Sequence, residues 1–165
     1  MTIGLQDDKG AHFYRCDFQV HTPRDTQWKG DSSASPDDRR AYAASFVEHC
    51  RSIDLNAVAI TDHHDFAYFP FLRQAAEEET RPDGTSYADH EKLVVFPGLE
   101  LTFGSPTMQA ILILDANFPE DRLANVLLAL SVEPVDASID QIPQVESIDH
   151  IRSLTCTTKW TSALG

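Results

Sequence analysis

Three residues of types that bind metal ions in proteins follow short segments that resemble strands. His21 comes after an alternating segment, His63 comes soon after residues 57–61, and Glu100 comes soon after residues 93–97. Two imidazoles and a carboxylate form a mixed nitrogen and oxygen set, which suits Zn, Mn or Fe. A single histidine or glutamate in such a place is usually a solvated or hydrogen-bonded residue. The joint placement of the three residues is what predicts a shared metal site.

Two of the preceding segments have the character of buried strands. Residues 57–61 and 93–97 are short apolar runs rich in β-branched residues, and turn-forming residues flank them. This pattern favours strands of a parallel sheet over helices. In α/β folds, metal and ligand sites collect beyond the carboxyl ends of such strands. We therefore expect His21, His63 and Glu100 to meet at one edge of a sheet.

The segment that leads to His21 alternates polar and apolar residues. If residues 16–22 form a strand, successive side chains point to opposite faces of the sheet. One face then carries Asp17, Gln19 and His21, and the other carries Cys16, Phe18 and Val20. The apolar face predicts that the strand is anchored in a core, while the polar face is directed at the site.

Further polar residues lie beside the two histidines in the sequence. Asp62 could orient an imidazole, and His64 could act as an acid or base near neutral pH, so both are candidate catalytic residues. Asp65 is better explained as a cap of the following helix. Arg24 could bind a phosphate group and is the candidate substrate-binding residue, although an exposed loop arginine is an equal alternative.

Local signals predict the elements that must position these residues. Ser35 can cap a helix, and Pro36 suits the first helical position. The predicted elements are a strand over 12–20; a helix with the stripe Tyr42, Phe46, Val47, Cys50 and Ile53; strands over 57–61, 93–97 and 108–114; a helix over 68–79 with Pro70 in its first turn; and a helix opening at Pro119 with the stripe Leu123, Val126, Leu127 and Leu130. This order predicts an α/β fold of about four parallel strands with flanking helices.

Length and composition exclude several classes of protein. A chain of 165 residues suggests one domain. The net charge of −13 argues against a nucleic-acid-binding surface, which needs clustered Lys and Arg. No apolar run approaches the roughly 20 residues that span a bilayer, and we expect a cytoplasmic protein with no membrane partner. The three cysteines form no Cys-x-x-Cys pair, and Cys16 and Cys50 are predicted to be small buried residues.

Three stretches of the sequence resemble the first signatures of the PHP family, the polymerase and histidinol phosphatase domain. They are Asp17-Phe-Gln-Val-His21-Thr, Ile60-Thr-Asp-His63 and Pro97-Gly-Leu-Glu100. The resemblance covers roughly residues 12 to 130. It implies a distorted (β/α)7 barrel with one to three divalent metal ions, held by His21, His63 and Glu100 with Asp17 as a further metal-site residue.

The sequence departs from the family pattern at several places. Members with full metal sites carry His at the position of Gln19 and near Gln109, and Gln is a poor ligand for Zn. The late ligands of the family have no counterpart, and an eight-stranded barrel usually needs about 250 residues. We expect an incomplete PHP-type barrel, an amino-terminal part of a larger protein. Its predicted organisation is a lead-in over 1–11, a truncated PHP-like domain over 12–154 that includes a final helix over 142–154, and an unpatterned tail over 155–165.

The function that the resemblance implies is hydrolysis of a phosphate ester. The metal ions would activate water, Arg24 would steady the phosphate, and His64 and Asp62 would assist. The substrate could be a nucleotide, a nucleic-acid end or a sugar phosphate.

Two alternatives to this function stay open. The chain resembles most the PHP domains attached to SMC-like or AAA-like ATPases in bacteria, so a degenerate, non-catalytic scaffold that positions or regulates such an ATPase is the main one. Gln19 and Gln109 favour the scaffold because each replaces a ligand. An amidohydrolase-type metal site is the other alternative, and Asp17 and the Thr-Asp-His motif argue against it.

Overall fold

The computed structural model describes residues 13–31, 35–103 and 107–132, which form a mixed α/β fold. Its elements are β1 (Cys16–Val20), α1 (Pro36–Ser52), β2 (Ala57–Ile60), α2 (Phe69–Glu78), β3 (Val94–Phe103), β4 (Met108–Ile113), a 3-10 turn (Glu120–Arg122) and α3 (Leu123–Ala129). The four strands form one sheet in the order β1-β2-β3-β4. The sheet curls into half of a barrel, which is consistent with the predicted incomplete barrel.

The direction of the fourth strand differs from the prediction. Strands β1, β2 and β3 are parallel, as expected, but β4 runs antiparallel to β3. The expectation of about four parallel strands is therefore wrong for β4. The reason is the short connection from Phe103 to Met108, because a parallel crossover needs a dozen or more residues whereas a hairpin needs only a few.

Strand β3 is longer than predicted because Pro97 and Gly98 do not end it. β3 pairs with β2 up to Pro97 and with β4 from Gly98 to Phe103, so the strand changes partner at this dipeptide. A Cβ atom on Gly98 would lie 2.9 Å from the carbonyl oxygen of Leu112 and 2.9 Å from Cγ2 of Thr61. Glycine is required here because β4 and the end of β2 both approach the backbone closely.

Helix α1 begins where its capping residue predicts, and the other two helices that the structure describes have no side-chain cap. The Ser35 hydroxyl accepts the backbone N–H of Asp38 at 3.1 Å, and Pro36 opens α1. Pro70 lies in the first turn of α2, where its missing N–H has no helical partner to lose. The predicted stripe of the last helix is confirmed, since each of its residues is buried: Leu123, Val126, Leu127 and Leu130.

The core lies between the helices and one face of the sheet. Val47 of α1, Leu72 of α2, and Val58 and Ile60 of β2 belong to one cluster of buried residues. Burial of each such side chain contributes about 1.5–3 kcal/mol. Ile53 was expected in the stripe of α1 but is 42% exposed, because it follows the last residue of that helix.

Strand β1 is more exposed than its apolar side chains predict. Cys16 is exposed and Phe18 is 45% exposed, so the expected burial is wrong for these two residues, whereas Val20 is partly buried against the core. β1 is an edge strand of the described sheet, paired on one side by β2. Cys50 is buried, as predicted. Burial, with a smaller contribution from the negative charge of Asp17, raises the pKa of the Cys50 thiol to about 11.

An irregularity in β1 changes which residues share a face. Asp17 pairs with Val58 and Val20 pairs with Ile60, so three steps along β1 match two steps along β2. An extra residue of this kind is a β-bulge and reverses the alternation beyond it. Asp17 and Val20 thus lie on the side of Val58 and Ile60, facing the helices, and His21 lies on the other side. The prediction that Asp17 and His21 share a face is wrong for this reason.

Several predicted segments lie outside the described residues. These are the lead-in over 1–11, the start of the first strand at His12, the helix over 142–154 and the tail over 155–165. Within the ranges that are described, no helix combines the length and the apolar character required to cross a bilayer.

The packing of α2 gives a direct test of the core. Leu72 is fully buried in α2, whereas Leu128 of α3 is 61% exposed. We expect Leu72→Ala to lower the free energy of unfolding by about 2–5 kcal/mol through lost burial and a cavity. The matched Leu128→Ala should change it by about 0.5 kcal/mol or less. Urea denaturation of both variants measures this, and similar losses would show that the helix packs differently.

Candidate metal centre

His21, His63 and Glu100 lie together in the folded chain. Each offers one ligand atom, and these atoms all lie within 4.8 Å of one another. The Nε2 atom of His21 is 2.8 Å from Oε2 of Glu100, and Nε2 of His63 is 3.7 Å from Oε1 of Glu100. The two imidazole centroids are 5.1 Å apart. The three residues singled out from the sequence therefore form one cluster that could hold a metal ion.

Backbone hydrogen bonds next to these residues hold the cluster in place. His63 and Glu100 form a parallel β-bridge beyond the end of β2, and the Glu100 N–H donates to the carbonyl of Asp62 at 3.3 Å. The Thr61 N–H donates to the carbonyl of Val20 at 2.8 Å, which ties the start of one loop to the end of β1. The backbone hydrogen bonds between neighbouring strands thus determine where these side chains lie.

The cluster is largely removed from solvent. The side chains of His63 and Glu100 are 4% and 3% exposed, and that of His21 is 25% exposed. A buried carboxylate needs compensating partners. Within the described residues, the ion-pair partners of Glu100 are the two imidazoles, and the Gln19 amide donates to Oε2 at 3.0 Å. The opening to solvent lies on the His21 side.

The donor set fits a divalent metal ion. Imidazole nitrogen and carboxylate oxygen are the usual ligands of Zn, with bonds of about 2.0–2.2 Å, so two ligand atoms of one tetrahedral ion lie about 3.2–3.6 Å apart. The distance of 3.7 Å between His63 Nε2 and Glu100 Oε1 is close to that spacing. The 2.8 Å contact of His21 with Glu100 is a hydrogen-bond distance and requires a proton on the imidazole when no cation intervenes.

Asp25 is a residue of the site that sequence reasoning missed. Its Oδ2 atom accepts the backbone N–H of His63 at 2.9 Å and faces the Nδ1 atom of the same residue at 2.8 Å. Burial alone would raise the pKa of Asp25, but the N–H groups of Gln27 and His63, together with the two imidazoles, lower it overall. The only signal in the sequence is a carboxylate four residues after His21, and nothing local shows that it reaches His63.

Asp62 takes a different role from the one predicted. It was expected to orient an imidazole, but its Oδ1 accepts the Thr22 N–H at 2.7 Å and its Oδ2 accepts the Thr22 hydroxyl at 2.6 Å. Burial raises the pKa of Asp62 to about 7, and the two bonds from Thr22 offset part of that rise. Asp62 therefore joins the loop after β2 to the loop after β1.

His64 is buried behind the cluster in a left-handed backbone conformation, with φ of 56°. Its Nε2 atom accepts the backbone N–H of Thr102 at 3.2 Å. Burial, followed by the nearby His63, lowers the pKa of His64 to about 4. The imidazole is thus neutral at pH 7 and bound to β3, a setting that does not support the predicted exchange of protons near neutral pH.

Arg24 is fully buried, and its Nε pairs with the carboxylate of Asp65. The alternative of an exposed loop arginine is therefore wrong, and the role in phosphate binding stays a prediction. Burial raises the pKa of Asp65, and Arg24 offsets part of that rise. Asp65 was expected to cap the next helix, but α2 begins at Phe69 with Tyr68 as its capping residue.

Asp17 does not join the cluster. It is exposed and accepts the backbone N–H of Gln19 at 3.1 Å. The bulge in β1 directs it to the helix side of the sheet, so its prediction as a metal-site residue is not supported by the structure.

Comparison of the chain with protein-family models, with curated proteins and with solved structures finds no match. Its chemistry must therefore be inferred from the side chains of the site. Two imidazoles and a buried carboxylate, with the His21 side partly exposed, form a cluster that could hold a metal ion.

The buried bond between Thr22 and Asp62 has an exposed counterpart. The Thr22 hydroxyl donates to Asp62 at 2.6 Å in the interior, and the Thr85 hydroxyl donates to Asp83 at 2.7 Å on the surface. We expect Thr22→Val to lower the free energy of unfolding by about 1–3 kcal/mol, because a buried acceptor loses its donor. Thr85→Val should have an effect of about 0.5 kcal/mol or less, since water replaces the hydroxyl. Equal effects in thermal or urea unfolding would contradict the interior position of this bond.

Proposed function

We propose that this chain is a metal-dependent phosphoesterase of the PHP type. The observation that carries the proposal is the convergence of His21, His63 and Glu100 within 4.8 Å, beyond the parallel pairings of β1, β2 and β3. These are the residues on which the resemblance to the PHP signatures rests. The half-barrel sheet supports the same proposal, because the site lies where α/β folds carry their ligands.

Each residue of the cluster has a role in this proposal. The imidazoles of His21 and His63 and the carboxylate of Glu100 hold the cation, which is Zn, Mn or Fe. When bound, such an ion supplies Lewis-acid chemistry toward a phosphate ester and makes water a stronger nucleophile. The partly exposed face of His21 is the side from which a substrate arrives. The cluster offers one set of donors, so one ion is proposed here out of the one to three that the family resemblance implies.

The negative charge of the site explains why the proposed reaction needs a cation. Glu100 and Asp25 place two carboxylates around the imidazoles, and both side chains are nearly or fully buried. A phosphate group carries negative charge and would be repelled by these carboxylates. A divalent cation reverses that balance at the point where the phosphate binds. The proposed substrates are phosphorylated: a nucleotide, a nucleic-acid end or a sugar phosphate.

A second candidate function is a degenerate scaffold without catalysis, which positions or regulates an attached SMC-like or AAA-like ATPase. The observation in its favour is the Gln19 amide, which donates to Oε2 of Glu100 at 3.0 Å and so occupies an oxygen of the ligand set. Amides are weak ligands for Zn. The setting of His64, neutral and bonded to Thr102, also leaves the site without a general acid at that position.

Metal content and turnover test the proposal together. We expect the purified chain, loaded with Zn or Mn and then desalted, to retain about one ion per chain and to hydrolyse a generic phosphate ester. A variant carrying both His21→Ala and His63→Ala should lose both properties, because the carboxylate alone is a weak site. His49→Ala serves as the control, since this histidine of α1 is exposed and does not belong to the cluster.

The outcomes of that experiment separate the two functions. Bound metal without turnover, with a broad panel of phosphate esters, would favour the scaffold. A folded wild-type chain that retains no ion and shows no turnover would contradict the phosphoesterase and leave the scaffold. Circular dichroism of each variant shows whether a loss reflects the site or the fold.

A further inference from the structure

The carboxylate of Asp25 lies on the side of the two imidazoles that faces away from Glu100. Its Oδ2 atom is 2.8 Å from Nδ1 of His63, and its Oδ1 atom is 3.5 Å from Nδ1 of His21. We infer that Asp25 is the positioning residue of the cluster, which fixes the tautomer of His63 so that the Nε2 lone pair faces Glu100. The expected effect of Asp25 on metal binding rests on the proposed function, whereas its effect on the tautomer of His63 does not.

The tautomer of His63 follows from what each group can donate. An ionised carboxylate only accepts hydrogen bonds, so the contact of 2.8 Å requires a proton on Nδ1. In a neutral imidazole the other nitrogen, Nε2, then carries the lone pair. The same Oδ2 atom accepts the His63 backbone N–H at 2.9 Å, which fixes the ring relative to its own backbone.

Asp25 is itself held rigidly. It is fully buried, and its Oδ1 atom accepts the Gln27 N–H at 2.8 Å. Its own N–H donates to the Thr22 carbonyl at 2.9 Å. A carboxylate held by its neighbours transmits a defined orientation to the ring that it contacts, as is common for histidines that bind metal ions.

The neighbouring carboxylates of Asp62 and Asp65 have other partners. Asp62 accepts both bonds from Thr22, and Asp65 pairs with Arg24. Among the residues that the structure describes, Asp25 is the carboxylate that reaches the Nδ1 side of the rings. Asp25 does not belong to the cluster of ligand atoms and acts on it through His63.

At the other edge of the His63 ring, this tautomer presents the Nε2 lone pair to Glu100. Its Nε2 atom lies 3.7 Å from Oε1 of Glu100, so a lone pair and a carboxylate oxygen face each other across a gap. Two acceptors in this arrangement attract a cation rather than each other. A flipped tautomer would place an N–H in the gap and close the site to a metal ion. Asp25 thus favours the form of His63 that is ready to bind.

The tautomer is measured directly by ¹⁵N nuclear magnetic resonance of the metal-free chain. The pH should be about 8.5, well above the ordinary imidazole pKa of about 6.5. The His63 signal is assigned by its loss in His63→Gln. We expect the Nδ1–H form in the wild type, and the Nε2–H form there would overturn the inference without any change at Asp25. This measurement needs neither metal nor turnover, so it can succeed even where the proposed function fails.

Substitution of Asp25 provides the second measurement. We expect Asp25→Ala, which removes the acceptor, to shift His63 toward the Nε2–H form and to weaken Zn²⁺ binding by about 10- to 100-fold in a chelator competition. Asp25→Glu restores an acceptor and should recover the Nδ1–H form and part of the affinity. Asp65→Ala is the matched control: it also removes a buried carboxylate but contacts neither ring, so it should reduce stability and leave the tautomer unchanged.

The comparison among these variants decides the role of Asp25. A shift of tautomer in Asp25→Ala that is absent in Asp65→Ala supports positioning. Equal tautomer changes in both variants, or an unchanged tautomer in a folded Asp25→Ala, would assign Asp25 a general structural role and overturn the inference.

Discussion

The structure depends on the buried polar links between the loop after β1 and the loop after β2. Residues 21–25 and residues 61–65 are joined by three side-chain interactions, each with both partners almost completely buried: Thr22 with Asp62, Asp25 with His63, and Arg24 with Asp65. Breaking any link would leave a polar or charged group unsatisfied in the interior, which is far more costly than the link is worth on the surface. The two loops therefore behave as one unit, and two of the three candidate ligands belong to it.

The third candidate ligand is brought to this unit by the sheet. Glu100 lies in β3 just beyond the point where that strand changes partner, and its N–H donates to Asp62, a residue of the same loop unit. Gly98 makes that approach possible because a side chain there would collide with Leu112 and Thr61. The sheet pairing and the loop links thus bring the three residues of the cluster together. The cluster brings the buried carboxylate of Glu100 against two imidazoles, a set of side chains that could hold a metal ion.

The sequence predicted the parts of this arrangement that local patterns determine. The types of His21, His63 and Glu100 and their places after predicted strands indicated the cluster. Hydrophobic patterns and helix-start residues predicted β2, the cap at Ser35 and the buried stripe of α3. The bulge in β1 was missed because it depends on register with β2, and it moved Asp17 away from the site. Asp25 was missed and the partner of Asp62 was misassigned, because only tertiary contacts decide which carboxylate reaches an imidazole. The antiparallel direction of β4, in contrast, could have been predicted from the sequence, because the connection that precedes it is short.

X-ray absorption at the zinc edge of the chain loaded with Zn identifies the atoms that surround the ion, and so tests whether His21, His63 and Glu100 hold it. We expect a first shell of nitrogen and oxygen at about 2.0–2.2 Å with the multiple scattering of two imidazoles, from His21 and His63, and a carboxylate oxygen from Glu100. A shell of oxygen atoms without imidazole scattering, or a sulfur ligand at about 2.3 Å from the exposed Cys16, would contradict it.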